Sequence, residues 1–421
     1  MTRRGAAPIR LVGAVVGIGL QWTAAAPAAA ALWTVDHTVQ ARLDLNDNPA
    51  LDARPGAASF RQQFGGTLAA ARQAEHTATR LDLSATLTHA DRDALPRRVG
   101  ASLGLGQTWS QPRDLVNLSL QWQQTQTDDP SRGSLDLGLG RGWRRALAAG
   151  AGWTHALSET SAVQWSLSAV TTQHGSNLST AVDYRNSTLL AGLTRRLDER
   201  LTLSLQGSSA RFRTLPDGSS SSRTDSLVLG LSQAGADASV GVLSLGHYRT
   251  LRSSRVLLRV CPLPPSFCDA GLAEPLTVQG HGRSQEQGWQ FSASHVWRTD
   301  ERGDLRLAAS RALAPAGVGV VARSDTFNLQ ASRALGEQLS VLASADLNRV
   351  VYPGPAAGGS GARPQLGVLA LVLSARLAEN LSLQVGAQAR RLRDPQGAAR
   401  AQSNGLWISL AFEPPRRYAQ R

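Results

Sequence analysis

The sequence predicts an all-β chain, a transmembrane antiparallel up-and-down β-barrel of about 18 strands. Three observations predict it. Apolar and polar residues alternate with period 2 almost from end to end. Short charged connections alternate with long ones rich in Gly, Ser, Pro and Asp. Beyond residue 31, no segment holds the roughly 18 consecutive apolar residues that a spanning helix needs. The composition agrees: 42% hydrophobic residues and 40 Gly in 421 suit many strands with one apolar and one polar face.

The first 31 residues have the three parts of a cleaved export signal. Arg3, Arg4 and Arg10 form a basic start, and Leu11 to Leu20 an apolar stretch too short to remain as a spanning helix. Ala28 to Ala31 offer small residues for cleavage before Leu32 or one residue earlier. The expected organisation is a signal peptide over 1–31, a barrel over 32–412 and a short periplasmic tail over 413–421.

Each strand follows from its phase. Val35, Val39, Ala41, Leu43 and Leu45 alternate with Asp36, Thr38, Gln40, Arg42 and Asp44. Leu81, Leu83, Ala85 and Leu87 alternate with Arg80, Asp82, Ser84 and Thr86. Val116, Leu118, Leu120 and Trp122 alternate with Asn117, Ser119, Gln121 and Gln123. Leu381, Leu383, Val385, Ala387 and Ala389 alternate with Ser382, Gln384, Gly386, Gln388 and Arg390. Residues 134–157 keep one phase from Leu135 to Leu157, which predicts one long strand rather than a hairpin.

Short connections are expected at Leu197–Arg200, Leu335–Gln338, Leu377–Asn380 and Leu157–Thr160. Long ones are expected near 46–58, 125–133, 213–223, 252–283, 351–364 and 392–402. Tight periplasmic turns and longer outer loops are the asymmetry of outer-membrane barrels, and an even strand number returns both termini to the periplasm. The first two strands and the region 180–197 carry the weakest pattern, so a count of 16 stays open.

The last strand carries Leu406, Ile408, Leu410 and Phe412 in alternation, which resembles the signal read by the barrel assembly machinery, although nine residues follow Phe412. Trp109, Trp122, Trp143, Trp153, Trp165, Trp289 and Trp297 fall within strands, where several should form the interfacial aromatic girdles. His155, His247 and His295 share the apolar phase and are expected at the same interfaces.

Cys261 and Cys268 close a Pro-rich loop, and in an exported chain their spacing predicts a disulfide in an outer loop. The formal charge is +13 and the sequence holds no Lys, so every cationic side chain is Arg. Codon usage or an electropositive interior or rim that attracts anions would each explain this. The Arg residues form no basic tract, which argues against nucleic acid as a partner. The eight His are scattered, no metal-ligand spacing is present, and no nucleophile elbow marks an enzyme; neither metal nor cofactor is expected. Lumen-lining positions are expected at Arg42, Arg80, Gln121, Arg306, Gln330, Gln384 and Arg390.

Gln40 to Asp52 runs from a strand into Asn46-Asp47-Asn48-Pro49, a solvated turn or a Ca²⁺-friendly loop. Over Leu43 to Pro49 this opening resembles a family of outer-membrane β-barrel porins, some of whose members accompany exosortase and exopolysaccharide gene clusters. The resemblance implies an outer-membrane location and a role linked to surface polysaccharide, and carries no catalytic residues. The combined expectation is a porin-like, non-enzymatic channel in the cell outer membrane for hydrophilic or anionic solutes, with lipid and polysaccharide among its partners. The alternative is a plugged structural or receptor barrel whose outer loops bind a surface polymer or partner.

Overall fold

The structure is a computed structural model and describes residues 32–49, 51, 58–91, 97–126, 142–175, 181–215, 219–235, 239–260, 276–353, 363–393, 400–415 and 417–420. The segment 1–31 and the pair Cys261 and Cys268 lie outside them.

Strands form wherever the alternation runs. In order they are β1 (Leu32–Asn46), β2 (Ser59–Ala74), β3 (Thr77–Ala90), β4 (Arg97–Ser110), β5 (Asp114–Gln126), β6 (Trp143–Ala156), β7 (Ser161–His174), β8 (Tyr184–Arg196) and β9 (Leu201–Thr214). They continue as β10 (Ser220–Ala234), β11 (Val240–Val260), β12 (Leu276–Asp300), β13 (Gly303–Ala316), β14 (Val320–Ala334), β15 (Leu339–Val351), β16 (Gln365–Ala378), β17 (Leu381–Arg393), β18 (Arg400–Phe412) and the short β19 (Arg417–Gln420). Each pairs antiparallel with its sequence neighbour from β1 to β18, and β18 pairs back with β1, so the sheet closes. Eighteen strands make the wall; β19 is an addition to it. The weak region 180–197 is β8, which removes the count of 16.

Closure is built by three segments. The upper half of β1 pairs with β18 from Val39 opposite Phe412 to Asn46 opposite Gly405. Its lower end pairs with β19, from Leu32 opposite Gln420 to Val35 opposite Arg417. The segment after Phe412 therefore returns to the sheet.

One face of the wall is apolar and exposed. Leu43, Leu87, Leu105, Leu167, Leu189, Leu229, Leu245, Leu371 and Leu406 all point outward, Leu371 with 52% of its surface accessible. Nothing in water stabilises such a band around a closed barrel, whereas hydrocarbon does. Among the described residues no helix is long and apolar enough to cross a membrane. The strands cross instead, and the chain is a barrel of the outer membrane.

Aromatic side chains mark the band's edges. At the end carrying the tight turns, Trp109, Val116, Trp153 and Trp165 lie level across β4 to β7. His155 stacks on Trp153 at 5.7 Å, His295 lies 4.1 Å from Trp297, and His247 meets Trp289 edge-on at 5.4 Å. Asp114 accepts from Trp153 Nε1 and contacts His155 Nδ1, both at 2.9 Å.

One expectation is met in its described part and two are corrected. Of the strand expected over 134–157, the described part forms as β6 and runs through Arg144 and Arg145 without a hairpin; positions 134–141 lie outside the described residues. Within the loop expected over 252–283 the described residues are strand, because β11 and β12 continue as a two-stranded arm to Val260 opposite Leu276. Above Ser254, where β10 ends, that arm rises by roughly 20 Å. The connection expected over 213–223 is shorter, since β9 runs to Thr214 and β10 starts at Ser220.

Candidate functional site: the inner face and its outer mouth

Alternation puts the polar phase on the inside. Arg42, Arg80, Gln121, Arg306, Gln330, Gln384 and Arg390 all lie on the strand face opposite the exposed Leu and Trp side chains. They are spread around the wall rather than gathered. Arg306 and Gln330 are direct cross-strand neighbours, and Gln384 and Arg390 share β17.

The inner Arg side chains are held by local partners. Arg42 bonds Asp44 at 2.5 Å, Arg80 bonds Asp82 at 2.7 Å and Arg306 bonds Asp304 at 2.8 Å. Two residues along a strand return to the same face, so an Arg-x-Asp spacing pairs its charges without help from a neighbouring strand. Asp304 also accepts from Ser332 Oγ. Arg390 is buried and donates to Ser403 Oγ at 2.9 Å, which in turn donates to Asn46 Oδ1 at 2.8 Å.

Trp407 is the inner-face exception to the aromatic girdles. Its neighbours Leu406 and Ile408 are exposed outward, and it turns inward under Arg42, whose guanidinium lies 4.2 Å from the ring centroid. The ring lies over Gly386, directly opposite on β17; a Cβ there would stand 2.3 Å from the indole.

The outer mouth is narrowed from within. Pairing between β12 and β13 ends at Phe291 opposite Arg311, while β13 and β14 stay paired up to Ala316 opposite Val320. Above that level the β13–β14 tip leaves the wall and reaches the other side. Val182 N donates to Gly317 O at 2.7 Å. Val321 and Leu313 pack on Tyr184 and Phe212, whose rings are 5.3 Å apart. The other face of the tip buries Ala316 and Ala322 against Val350. Gly319 makes the turn at φ +81°, a left-handed conformation that favours Gly. A cavity of about 180 Å³ remains beside the tip, between Phe212, Ser222, Gln290 and Val321.

Charged groups frame this bridge. Arg252 bonds Glu286 at 2.7 Å and donates to Val321 O at 3.1 Å. Tyr248 Oη donates to Glu286 at 3.3 Å and Arg144 donates to Tyr184 Oη at 3.4 Å. The first outer connection also folds inward, burying Leu51 against Leu366 and Ala401. Among the described residues, the clusters of buried apolar side chains therefore lie at the outer end, while the wall below presents polar groups.

No family model matches the chain, and no curated protein matches it. Among solved structures, the open form of the ferric-catecholate import receptor Fiu from E. coli K12 is 11% identical with a TM-score of 0.45, over 90% of this chain and 82% of that one. OccAB1 of Acinetobacter baumannii is 11% identical with a TM-score of 0.44, over 91% and 96%. The outer membrane protein OpdK of Pseudomonas aeruginosa is 13% identical with a TM-score of 0.44, over 90% and 99%. At these values what the barrel does is read from its own wall and mouth.

The mouth residues Arg144, Tyr184, Phe212, Tyr248, Arg252 and Glu286 were not singled out by sequence. Their spacing is that of ordinary inward positions, and what unites them is a hairpin tip more than a hundred residues along the chain from Tyr184. The available signal was Pro315 with Gly317 and Gly319, which marks a sharp turn but not its direction. The turn Asn46-Asp47-Asn48, open to two readings by sequence, is bound to β18: Asn48 Nδ2 donates to Gln402 O at 2.9 Å and Asn404 N to Asp47 Oδ1 at 2.6 Å. Its polar side chains serve closure.

Proposed function

We propose that the protein is a porin-like, non-enzymatic channel for hydrophilic solutes with a preference for small anions, exported by its 1–31 signal and inserted by the barrel assembly machinery through Leu406, Ile408, Leu410 and Phe412. The observation that carries this reading is the polar inner face of a closed 18-strand wall, entered through a mouth edged by Arg144 and Arg252. A barrel of this size leaves room for water between its walls. Arg42, Arg80, Gln121, Arg306, Gln330 and Gln384 would line that path, exchanging hydrogen bonds with a passing solute as its water is shed, with Arg390 held behind them against Ser403. The Arg–Asp pairs moderate the charge of the path, which supports a reading in which the mouth sets selectivity. The Cys261–Cys268 disulfide would stiffen the crown of the β11–β12 arm.

A role in polysaccharide export is the finer reading suggested by the resemblance over Leu43 to Pro49. The seam bonds of Asn46, Asp47 and Asn48 account for that motif without a sugar ligand, so passage of small solutes is preferred. A receptor barrel is the second reading, favoured by the inward β13–β14 tip and the tall β11–β12 arm.

Single-channel recording in planar bilayers separates the two. A channel gives ohmic steps, with a reversal potential displaced toward the anion under a salt gradient. A folded, heat-modifiable barrel without steps would instead mean a plugged receptor.

A further inference from the structure

On the outward face, β8 to β12 change from apolar to cationic within a few residues of the same phase. Leu189 gives way to Arg185 on β8, Leu205 to Arg211 and Arg213 on β9, and Leu227 to Arg223 on β10. Arg249 follows Leu245 and His247 on β11, and Arg283 lies above Trp289 on β12. All six Arg are exposed.

Register brings like charges face to face. Arg185 is directly opposite Arg213, and Arg211 directly opposite Arg223. Directly opposed like charges destabilise a sheet. Among the described residues the one ion pair in the patch is Arg223 with Asp225, at 3.0 Å. A groove of about 890 Å³ runs through the patch, lined by Arg211, Arg213, Arg223 and Arg283 with Ser221 and Gln285. Folding alone gives no reason to assemble these cations; a multivalent anion seated between them does.

Height identifies the anion. The lowest of these Arg, Arg249, stands two residues above His247, which meets Trp289 at the upper edge of the apolar band. Two residues along a strand rise about 7 Å, which reaches the headgroup layer. At the opposite edge, outward aromatic residues stand on β4, β6 and β7, with Trp109, Trp153 and Trp165 level with one another, and Trp297 on β12. Arg suits the headgroup layer, since its planar fork takes phosphate oxygens in pairs.

We propose that the outward Arg patch of β8 to β12 is a binding site for the phosphorylated sugar headgroup of an anionic glycolipid in the outer leaflet. Opposed pairs Arg185/Arg213 and Arg211/Arg223 each clamp one phosphate. The assignment rests on the orientation that puts the long connections outside, and it is independent of whether the lumen conducts.

The test uses the mature chain folded in phosphatidylcholine nanodiscs. Three probes are bisphosphorylated lipid A, the same lipid A with its phosphates removed, and inorganic phosphate. The phosphorylated lipid should bind at least about tenfold more tightly than the dephosphorylated one. Millimolar inorganic phosphate should not displace it, since a free ion cannot span two clamps. The combined variant Arg211→Gln, Arg213→Gln and Arg223→Gln should lose that preference. Arg391→Gln with Arg393→Gln, outward on β17, should keep it. In phosphatidylcholine alone the triple variant should unfold no more readily than the parent, because repulsion has been removed. Equal binding of both lipids, displacement by inorganic phosphate, or an equal loss in the β17 variant would each overturn the assignment. The lipid comparison on the parent chain decides even if the triple variant does not fold, and conductance, recorded separately, reports on the channel reading.

Discussion

Asp47 and Asn404 hold the two ends of the barrel together. Asn404 donates to Asp47 through its backbone N at 2.6 Å and its Nδ2 at 3.0 Å, while Asp47 N donates to Asn404 O at 3.1 Å. The residues are 357 apart in sequence, so these bonds form only once β18 has met β1. Asp47→Ala should cost about 0.5–1.5 kcal/mol, because it removes exposed bonds that water replaces in part. Asn404→Ala should cost less, and the double variant little more than Asp47→Ala alone. Urea unfolding in detergent measures all three; fully additive losses would show that the residues act separately.

Trp407 and Gly386 make a second fitted pair. The indole occupies the space above Gly386, and a Cβ would collide with it. Gly386→Val should therefore displace the ring and lower stability by about 1–3 kcal/mol, the usual effect of overpacking. Trp407→Ala should be milder in combination with Gly386→Val than alone, since the valine fills part of the space the indole leaves. Tryptophan fluorescence and unfolding midpoints together test this coupling.

Period 2 made most of this wall legible. A strand buried on neither face still alternates, because lipid and water lie on opposite sides of the pleat. By that rule Arg42, Arg80 and Gln384 share the strand face opposite the exposed Leu side chains. It could not show that the β11–β12 pairing continues as an arm to Val260 opposite Leu276. Nor could it show that β13–β14 bends inward: Leu313 and Val321 keep the outward phase of their strands, and only the departure of the tip from β12 turns that face onto Tyr184 and Phe212. The seam bonds of Asn46, Asp47 and Asn48 were hidden for a related reason, because their partners lie at the far end of the chain.

The outward phase can be tested at one step of β16. Leu371 is exposed in mid-strand, and Ala370 beside it takes the inner face. Leu371→Arg should destabilise folding into phosphatidylcholine vesicles by about 2–4 kcal/mol, the cost of a cation near the bilayer midplane. Ala370→Arg should cost far less, because its side chain meets water. Comparable losses at both positions would contradict the assigned faces.

The bridge across the mouth should limit conductance. Tyr184→Ala with Val321→Ala removes the apolar contact that seats the β13–β14 tip. Freed from it, the tip should fluctuate, and unitary conductance should rise by roughly a factor of two or more if the mouth is the narrowest point. Cysteines at Val182 and Gly317, whose backbones are hydrogen-bonded, should do the reverse: oxidation locks the tip and leaves only the smaller steps. A conductance indifferent to both changes would move the constriction elsewhere.

Charge in the path should act by pairs. Arg306 is bonded to Asp304 on the same face, so each neutralises the other toward a passing ion. Arg306→Gln exposes a carboxylate and should move the reversal potential toward the cation, whereas Asp304→Asn exposes a guanidinium and should move it toward the anion. Neutralising Arg306 and Arg390 together should weaken anion preference chiefly through Arg306, since Arg390 is buried against Ser403. Arg252→Gln at the mouth should weaken it further, because it also leaves Glu286 facing the entry with only Tyr248 as its partner among the contacts described above. Reversal potentials unchanged in the Arg306 and Asp304 variants alike would mean that these side chains do not face the path of the ions.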